Sequence, residues 1–317
     1  MSFPVNELRE RGRLGSVLWP VASWTAAAVV IAVCVGIVAY LFVQGGSTVN
    51  LHFLTNDPNP SLIEAQNGGI RVPIAGTVLL IVLSLIVAVP LALASATYLA
   101  EYMDERQLLT RIVRIGLEVL ASVPSVVFGM FGLALFTRPA FTFLSSAGAD
   151  ANRAAFGRSF LVAAIVMGVH VLPFIVKVME EAIRSVPRTY RDAASALGLP
   201  KWRSLRRVVL SAAAPGLSTA VILGMGLVAG DTAIVWLTLG GTVNMGSDTW
   251  WRPDSWNAVL HGTGATLTTF TYYTSPVGEG MAPEMAFGAA LVLVGIILVF
   301  NAGATLLARI GSRHQRR

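Results

Sequence analysis

Charged side chains leave six long gaps in this chain, at 17–43, 73–100, 119–137, 159–176, 208–230 and 285–308. Each gap is continuously apolar for close to the ~20 residues an α-helix needs to cross a ~30 Å hydrocarbon layer. Membrane-spanning strands show short segments of alternating polarity instead, so a barrel does not fit these runs. The pattern predicts an all-α integral membrane protein with about six transmembrane helices. The fifth run carries on past Asp231 through "TAIVWLTLGG", which makes it an interrupted span.

The polar positions between the runs predict the connections. "QGGSTVNLHFLTNDPNPSLIEAQNGGIRVP" is punctuated by Gly, Asn and Pro and reads as a peripheral helix plus a loop. In "EYMDERQLLTRIVRIGLEVL", Leu108, Ile112, Ile115 and Val119 recur at helical spacing while Arg106, Arg111 and Arg114 lie off that stripe. This is a helix on the membrane surface or an extension of the third span. Two further connections are long, 138–158 and 242–283. The second carries "WWRPDSW", "HGTGATLTTFTYYTSP" and "GEG", whose aromatic residues suit headgroup-level anchors or a docking surface for an external partner.

Composition agrees with the pattern and adds an orientation. The 317 residues are 55% hydrophobic and 13% charged, too apolar for a soluble domain of ordinary make-up. Eighteen of the 23 Lys and Arg gather on alternate connections: Arg9, Arg11 and Arg13; Arg106, Arg111 and Arg114; eight from Lys177 to Arg207; and four in the tail. The other side holds Arg71, Arg138, Arg153, Arg158 and Arg252. By the positive-inside rule both termini and the Lys177–Arg207 region are cytoplasmic, in a multi-pass protein of the cytoplasmic membrane. The pI near 10.0 is therefore read as topology and membrane-lipid contact, with no nucleic acid partner.

Candidate chemistry is sparse. Cys34, the single cysteine, lies inside the first run, so neither a disulfide framework nor a cysteine metal site is expected. That run is too long for a removed signal peptide and should stay as an anchor. His52, His170, His261 and His314 are dispersed, and no phosphate-binding loop or hydrolase motif is present. The chain is expected to be no enzyme and to bind no cofactor or metal itself.

The charged segment "RDAASALGLPKWRSLRR" is the exception to the apolar plan. Tyr190, Ala193, Ala194 and Leu197 fall on one small face of a first helix, with Arg191 and Asp192 off it. Gly198 is placed to cap that helix and Pro200 to stop it. A second helix from Lys201 presents Trp202, Leu205 and Val209, with Arg203, Arg206 and Arg207 on its polar side, and feeds the fifth span. Such a pair suits insertion into a groove on a soluble partner, and equally a basic helix pair held on anionic lipid.

The segment resembles the EAA loop of ABC-importer permeases: EAA, three residues, Gly, nine residues, Ile, one residue, Leu-Pro. Asp192-Ala193-Ala194 stand for EAA, Gly198 for the glycine, and Val208 and Leu210 follow in register. Asp replaces Glu, and Ser211 occupies the proline position with Pro215 one turn on. "GGIRVPIAGTVLLIVLSLIVAVPLALASATYLAEY", "LASVPSVVFGMFGLALF", "LPFIVKVMEEAIRSVPRTYRDAASALG" and "AGDTA" resemble, in the same order, the membrane subunits of bacterial phosphate importers, PstA more than PstC. The resemblance covers about 68–308.

It implies a type I ABC importer of MetI-like permease fold. Residues 1–72 form the N-terminus, first helix and loop; 73–310 form the transmembrane domain with coupling helices near 187–207; 311–317 form a basic tail. The implied partners are a PstC-like second permease, two PstB-like ATPases that use ATP and Mg, and an external PstS-like phosphate-binding protein. Asp192, Ala193, Ala194, Gly198, Trp202 and Arg203 would contact the ATPase.

Asp231 aligns with the acid of the family's "GET" motif, and Leu227 sits where many phosphate permeases place Arg. An unpaired acid would repel an anion, so Asp231 is expected to pair with an Arg of the second permease; a helix end reaching external water is the other reading. Thr232, Gly230 and Gly226 suit a narrow path or close helix packing. Ser122, Pro124 and Ser125 suit a kink whose freed carbonyl the serines satisfy, or hydroxyls offered to the anion. Pro173 should kink the fourth span, with His170 packed beside it. The alternatives are an importer of molybdate, tungstate or sulfate, favoured by the missing Arg, and a membrane scaffold or sensor that carries nothing. Paired broken helices in matched halves are not evident, which disfavours a secondary transporter.

Overall fold

The computed structural model describes residues 5–58, 68–103, 108–145, 157–242, 245, 249–278, 280 and 282–314. Arg106, Arg153, Glu279, Arg316 and Arg317, and the side chains of Arg9, Arg11, Arg13, Arg309 and Arg313, lie outside this set. The regular elements of the described residues are all helical, with no strand among them. The first three helices are α1 (Val5–Gly45), the short α2 (Leu51–Thr55) and α3 (Arg71–Glu101). Helix α2 is the peripheral helix expected from the polar stretch, and the side chain of Asn50 caps it by accepting from Phe53 N at 2.8 Å.

The third apolar run is not one straight span. It divides into α4 (Leu108–Ser122) and α5 (Ser125–Phe136), bent by 100° to one another. Pro124 disfavours a helical Val123 and itself sits at φ −58°, ψ 142°. The 12 residues of α5 cover only ~18 Å, short of a full crossing. Helix α4 therefore does not extend α5, and its apolar stripe, Leu108, Ile112, Ile115 and Val119, is exposed.

The remaining helices are α6 (Phe160–Arg184), α7 (Arg188–Ala196), α8 (Lys201–Ser204), α9 (Leu210–Gly230), α10 (Ala233–Thr238), α11 (Trp256–His261), α12 (Leu267–Thr274) and α13 (Pro283–His314). Among the described residues, five stretches are long and apolar enough to cross a membrane, namely Trp19–Gly45, Arg71–Glu101, Phe160–Arg184, Lys201–Gly230 and Pro283–Leu306. A sixth exists only if the bent α4–α5 pair counts as one span. Helix α6 runs unbroken through Pro173.

Helices α3, α6 and α9 make the core. Ala88, Ala92 and Ala96 lie at four-residue intervals on α3 and are wholly buried, in one core cluster with the α6 residues Met167, Val171, Ile175 and Met179. Small residues let the backbones approach, which is how helices associate where apolar lipid removes the usual hydrophobic drive. Gly168 of α6 sits against Val87 and the carbonyl of Ser84; a Cβ there would stand 3.1 Å from both. Gly168→Val is accordingly expected to cost about 1–3 kcal/mol by overpacking. A lowered Tm of the detergent-purified protein checks this. The N-terminal α1 packs along α13, where Tyr40 meets Phe287 edge-on, and its spanning part is otherwise exposed.

Candidate functional site

The α7–α8 hairpin follows from its sequence at each step. Helix α7 ends in a Schellman turn: Gly198 N donates to Ser195 O at 2.9 Å and Leu199 N to Ala194 O at 3.1 Å. Gly198 adopts φ +71°, a conformation that side chains bearing Cβ rarely take. Pro200 then caps α8. On α7 only Ala194 is buried, while Tyr190, Ala193 and Leu197 are exposed, Leu197 by 80%. The expected small face is thus mostly an open surface. Asp192 and Arg203 are exposed beside it.

Two readings of this segment change. Trp202 is not buried with Leu205 and Val209: it is 62% exposed while they are 2% and 1%. Residues Leu205–Val209 form a π-helical turn, whose wider winding shifts the register between α8 and α9. Lys201–Gly230 still runs as one apolar stretch, so the hairpin joins α9 directly.

Arg191 does not stand off as a solvated charge. Its Nε donates to Glu101 Oε1 at 2.9 Å, its Nη1 to Val186 O at 2.6 Å and its Nη2 to Ile183 O at 3.0 Å. Alongside it, Glu180 accepts from Arg114 Nη2 at 2.8 Å and pairs with Arg184 Nε at 2.9 Å, and Arg184 reaches Leu99 O. Glu101, Glu180 and Arg191 carry no motif; the one sequence hint is that Glu101 closes an apolar run of nearly thirty residues as its first charge.

The Asp231 group lies at the other end of α9, ~32 Å away by helix length. The sequence correctly marks an interruption here. Helix α9 stops at Gly230, Asp231 turns extended at φ −79°, ψ 124°, and α10 starts at Ala233. Asp231 Oδ1 accepts from Ile234 N at 2.8 Å, so the carboxylate caps α10. Thr232 O receives Trp236 N at 2.8 Å. His170, between Phe128 and Phe174, is within electrostatic reach of Asp231, and its buried Nδ1 has no hydrogen-bond partner among the described residues.

Helix α5 packs on α10, with Gly129 against Ile234 and Leu237, which brings the Ser125 helix alongside the Asp231 break. Ser122 Oγ donates to Val119 O at 2.8 Å, satisfying a carbonyl just before the Pro124 bend. The aromatic connection is partly structural. Arg71 pairs with Asp57 and lies over Trp250 and Trp251, 6.0 and 5.5 Å from the ring centroids, while Trp251 and Trp256 stay exposed. Among the described residues no group of His, Cys, Asp and Glu could hold a metal ion.

Three comparisons place this arrangement. Residues 88–317 match the family described as the binding-protein-dependent transport system inner membrane component. The chain is 31% identical to the probable ABC transporter permease protein YqgI of Bacillus subtilis, over 89% of this chain and 90% of that one. It is 30% identical to the phosphate transport system permease protein PstA 1 of Mycobacterium tuberculosis, over 80% and 74%. In fold it is similar to a chain of the inward-facing MetNI methionine ABC transporter, with a TM-score of 0.53, 18% identity and coverage of 77% and 94%.

Proposed function

We propose, for a chain that belongs to the binding-protein-dependent transport system inner membrane component family, the role of PstA-like permease in an importer of inorganic phosphate. The coarser part is plain from the family: this is a multi-pass inner-membrane permease subunit of an ABC importer, with the MetI-like fold, working with an ATPase and other components of such a system. In the proposed assembly a PstC-like permease completes the pathway, two PstB-like ATPases bind and hydrolyse ATP with Mg, and a PstS-like protein delivers the anion from outside. Both termini and the α7–α8 hairpin face the cytoplasm.

The observation that carries this reading is the hairpin itself. Its outer surface offers Ala193, Leu197 and Trp202 with Asp192 and Arg203 at the edge, a mixed apolar and charged knob suited to a groove on a soluble partner. Its inner side is fixed to the bundle and continuous with α9. Closure of the ATPases on ATP would move the knob, and α9 would carry that motion to the Asp231 break beside α5. Alternation of access then follows from helix movement, without chemistry on this chain.

Leu227 favours a second substrate reading, because it leaves the pathway without the cation expected for phosphate. Molybdate, tungstate and sulfate are the rivals. The test is ATP-driven uptake of labelled phosphate by the reconstituted complex against each competitor. Phosphate accumulation resistant to the other three supports the proposal; accumulation of another oxyanion without phosphate overturns the substrate and leaves the permease role standing.

A further inference from the structure

We propose that the end of α3 is a second point of drive, gripped by both members of the hairpin, with Arg191 and Glu101 as the latch. This rests on the reading that α7–α8 receives an ATPase. Glu101 is the last residue of α3 and Tyr102 caps it. From α7, Arg191 Nε and Nη2 both donate to Glu101 Oε1, at 2.9 and 2.5 Å. From α8, Lys201 Nζ stands 4.6 Å from the centroid of the Tyr102 ring, a cation–π contact. Two helices of the hairpin therefore hold two consecutive residues at the end of α3, its last residue and its cap. These contacts line a cavity of ≈350 Å³ with Leu205 and Val209.

The geometry suits transmission better than surface decoration. The Arg191 and Glu101 side chains are 25% and 12% exposed, so water screens the pair poorly. Two further guanidinium protons go to the carbonyls of Ile183, in the last turn of α6, and Val186, just beyond it, which fixes the direction of the fork. Arg191 is thereby the one charged group of α7 turned into the bundle. Helix α3 packs extensively against α6 and also touches α9. A displacement of the hairpin would move α9 through the chain and α3 through the latch. Arg191 and Glu101 act here as positioning residues.

The test uses the complete importer, reconstituted with its second permease, ATPases and binding protein. Glu101→Gln removes the charge and keeps the shape. Uptake of labelled phosphate per ATP hydrolysed is expected to fall roughly tenfold, the loss of one charge-assisted bond, with assembly and basal ATPase rate unchanged. Glu101→Asp should recover most of it. Wild-type coupling in Glu101→Gln, or equal loss of assembly and hydrolysis, overturns the latch.

A second measurement needs no variant of the pair and no substrate. In a Cys34→Ser background, spin labels at Thr97→Cys on α3 and Ser195→Cys on α7 should keep one distance with and without ATP. A change of about 5 Å, one helical turn, shows that the hairpin slides past α3 and ends the proposal. An absence of phosphate uptake by the wild-type complex with an unchanged label distance would count against the substrate alone.

Discussion

Gly198→Val is expected to lower ATP-driven uptake roughly tenfold or more, while Gly198→Asn should retain most of it. A Cβ at Gly198 meets nothing within 4 Å, so crowding is not the reason. The reason is the backbone: φ of +71° places a β-branched residue in the left-handed region at a cost of about 1–2 kcal/mol or more. Asn reaches that region far more easily. Valine would unwind the Schellman turn, lose the Leu199-to-Ala194 hydrogen bond and re-aim α8 relative to α7. The knob seen by the ATPase would then lose its shape with every surface side chain intact. Uptake and ATPase co-purification measured on both variants check the prediction, and equal activity of Val and Asn would remove the turn from the coupling account.

Asp231 is expected to matter for its charge beyond its cap. Asp231→Asn keeps a capping side chain, since Asn serves an N-terminus as well as Asp, and it removes the negative charge. Asp231→Ala removes both, adding about 1 kcal/mol of lost capping. An acid at a break in an apolar run is costly in a membrane unless it serves a partner. With Leu227 in place of a cation, Asp231 is expected to organise an Arg of a second permease. Uptake by Asp231→Asn should therefore fall roughly tenfold or more, the factor for one lost charged contact. Wild-type uptake in Asp231→Asn with reduced uptake in Asp231→Ala would leave Asp231 as the cap of α10 alone.

These two positions also show how far the sequence speaks. Spans are legible because a helix in lipid must satisfy its backbone internally and cover the hydrocarbon, which forces long charge-free runs. The turn at Gly198 and the interruption at Asp231 are legible because glycine, proline and a lone acid have few other uses in such places. The 119–137 run misleads, because hydropathy averages across the Val123–Pro124 corner and counts two short helices as one. The face of α8 misleads for a different reason: helical spacing gives the direction of a side chain and not what lies there to cover it, and Trp202 at the start of α8 is left open while Leu205 and Val209 reach the bundle.

Arg191 escapes pattern reading altogether. Its position on the α7 wheel points away from the apolar face, but a long side chain folds back to a carboxylate ninety residues earlier in the chain. Only the packing of α3 against α6 sets Glu101 within reach. Pairings of this kind depend on where two helices end in space, and no local periodicity encodes that.

The central claim is that the α7–α8 face receives ATP-driven motion and that phosphate crosses at the far end of α9. The most direct measurement is accumulation of labelled phosphate by the reconstituted importer in sealed vesicles, with ATP supplied on one side at a time. Phosphate should move toward the side that holds ATP, which is the side bearing the α7–α8 hairpin, and should stop when ATP is withheld. Accumulation without ATP, or with ATP only on the opposite side from the hairpin, contradicts the account.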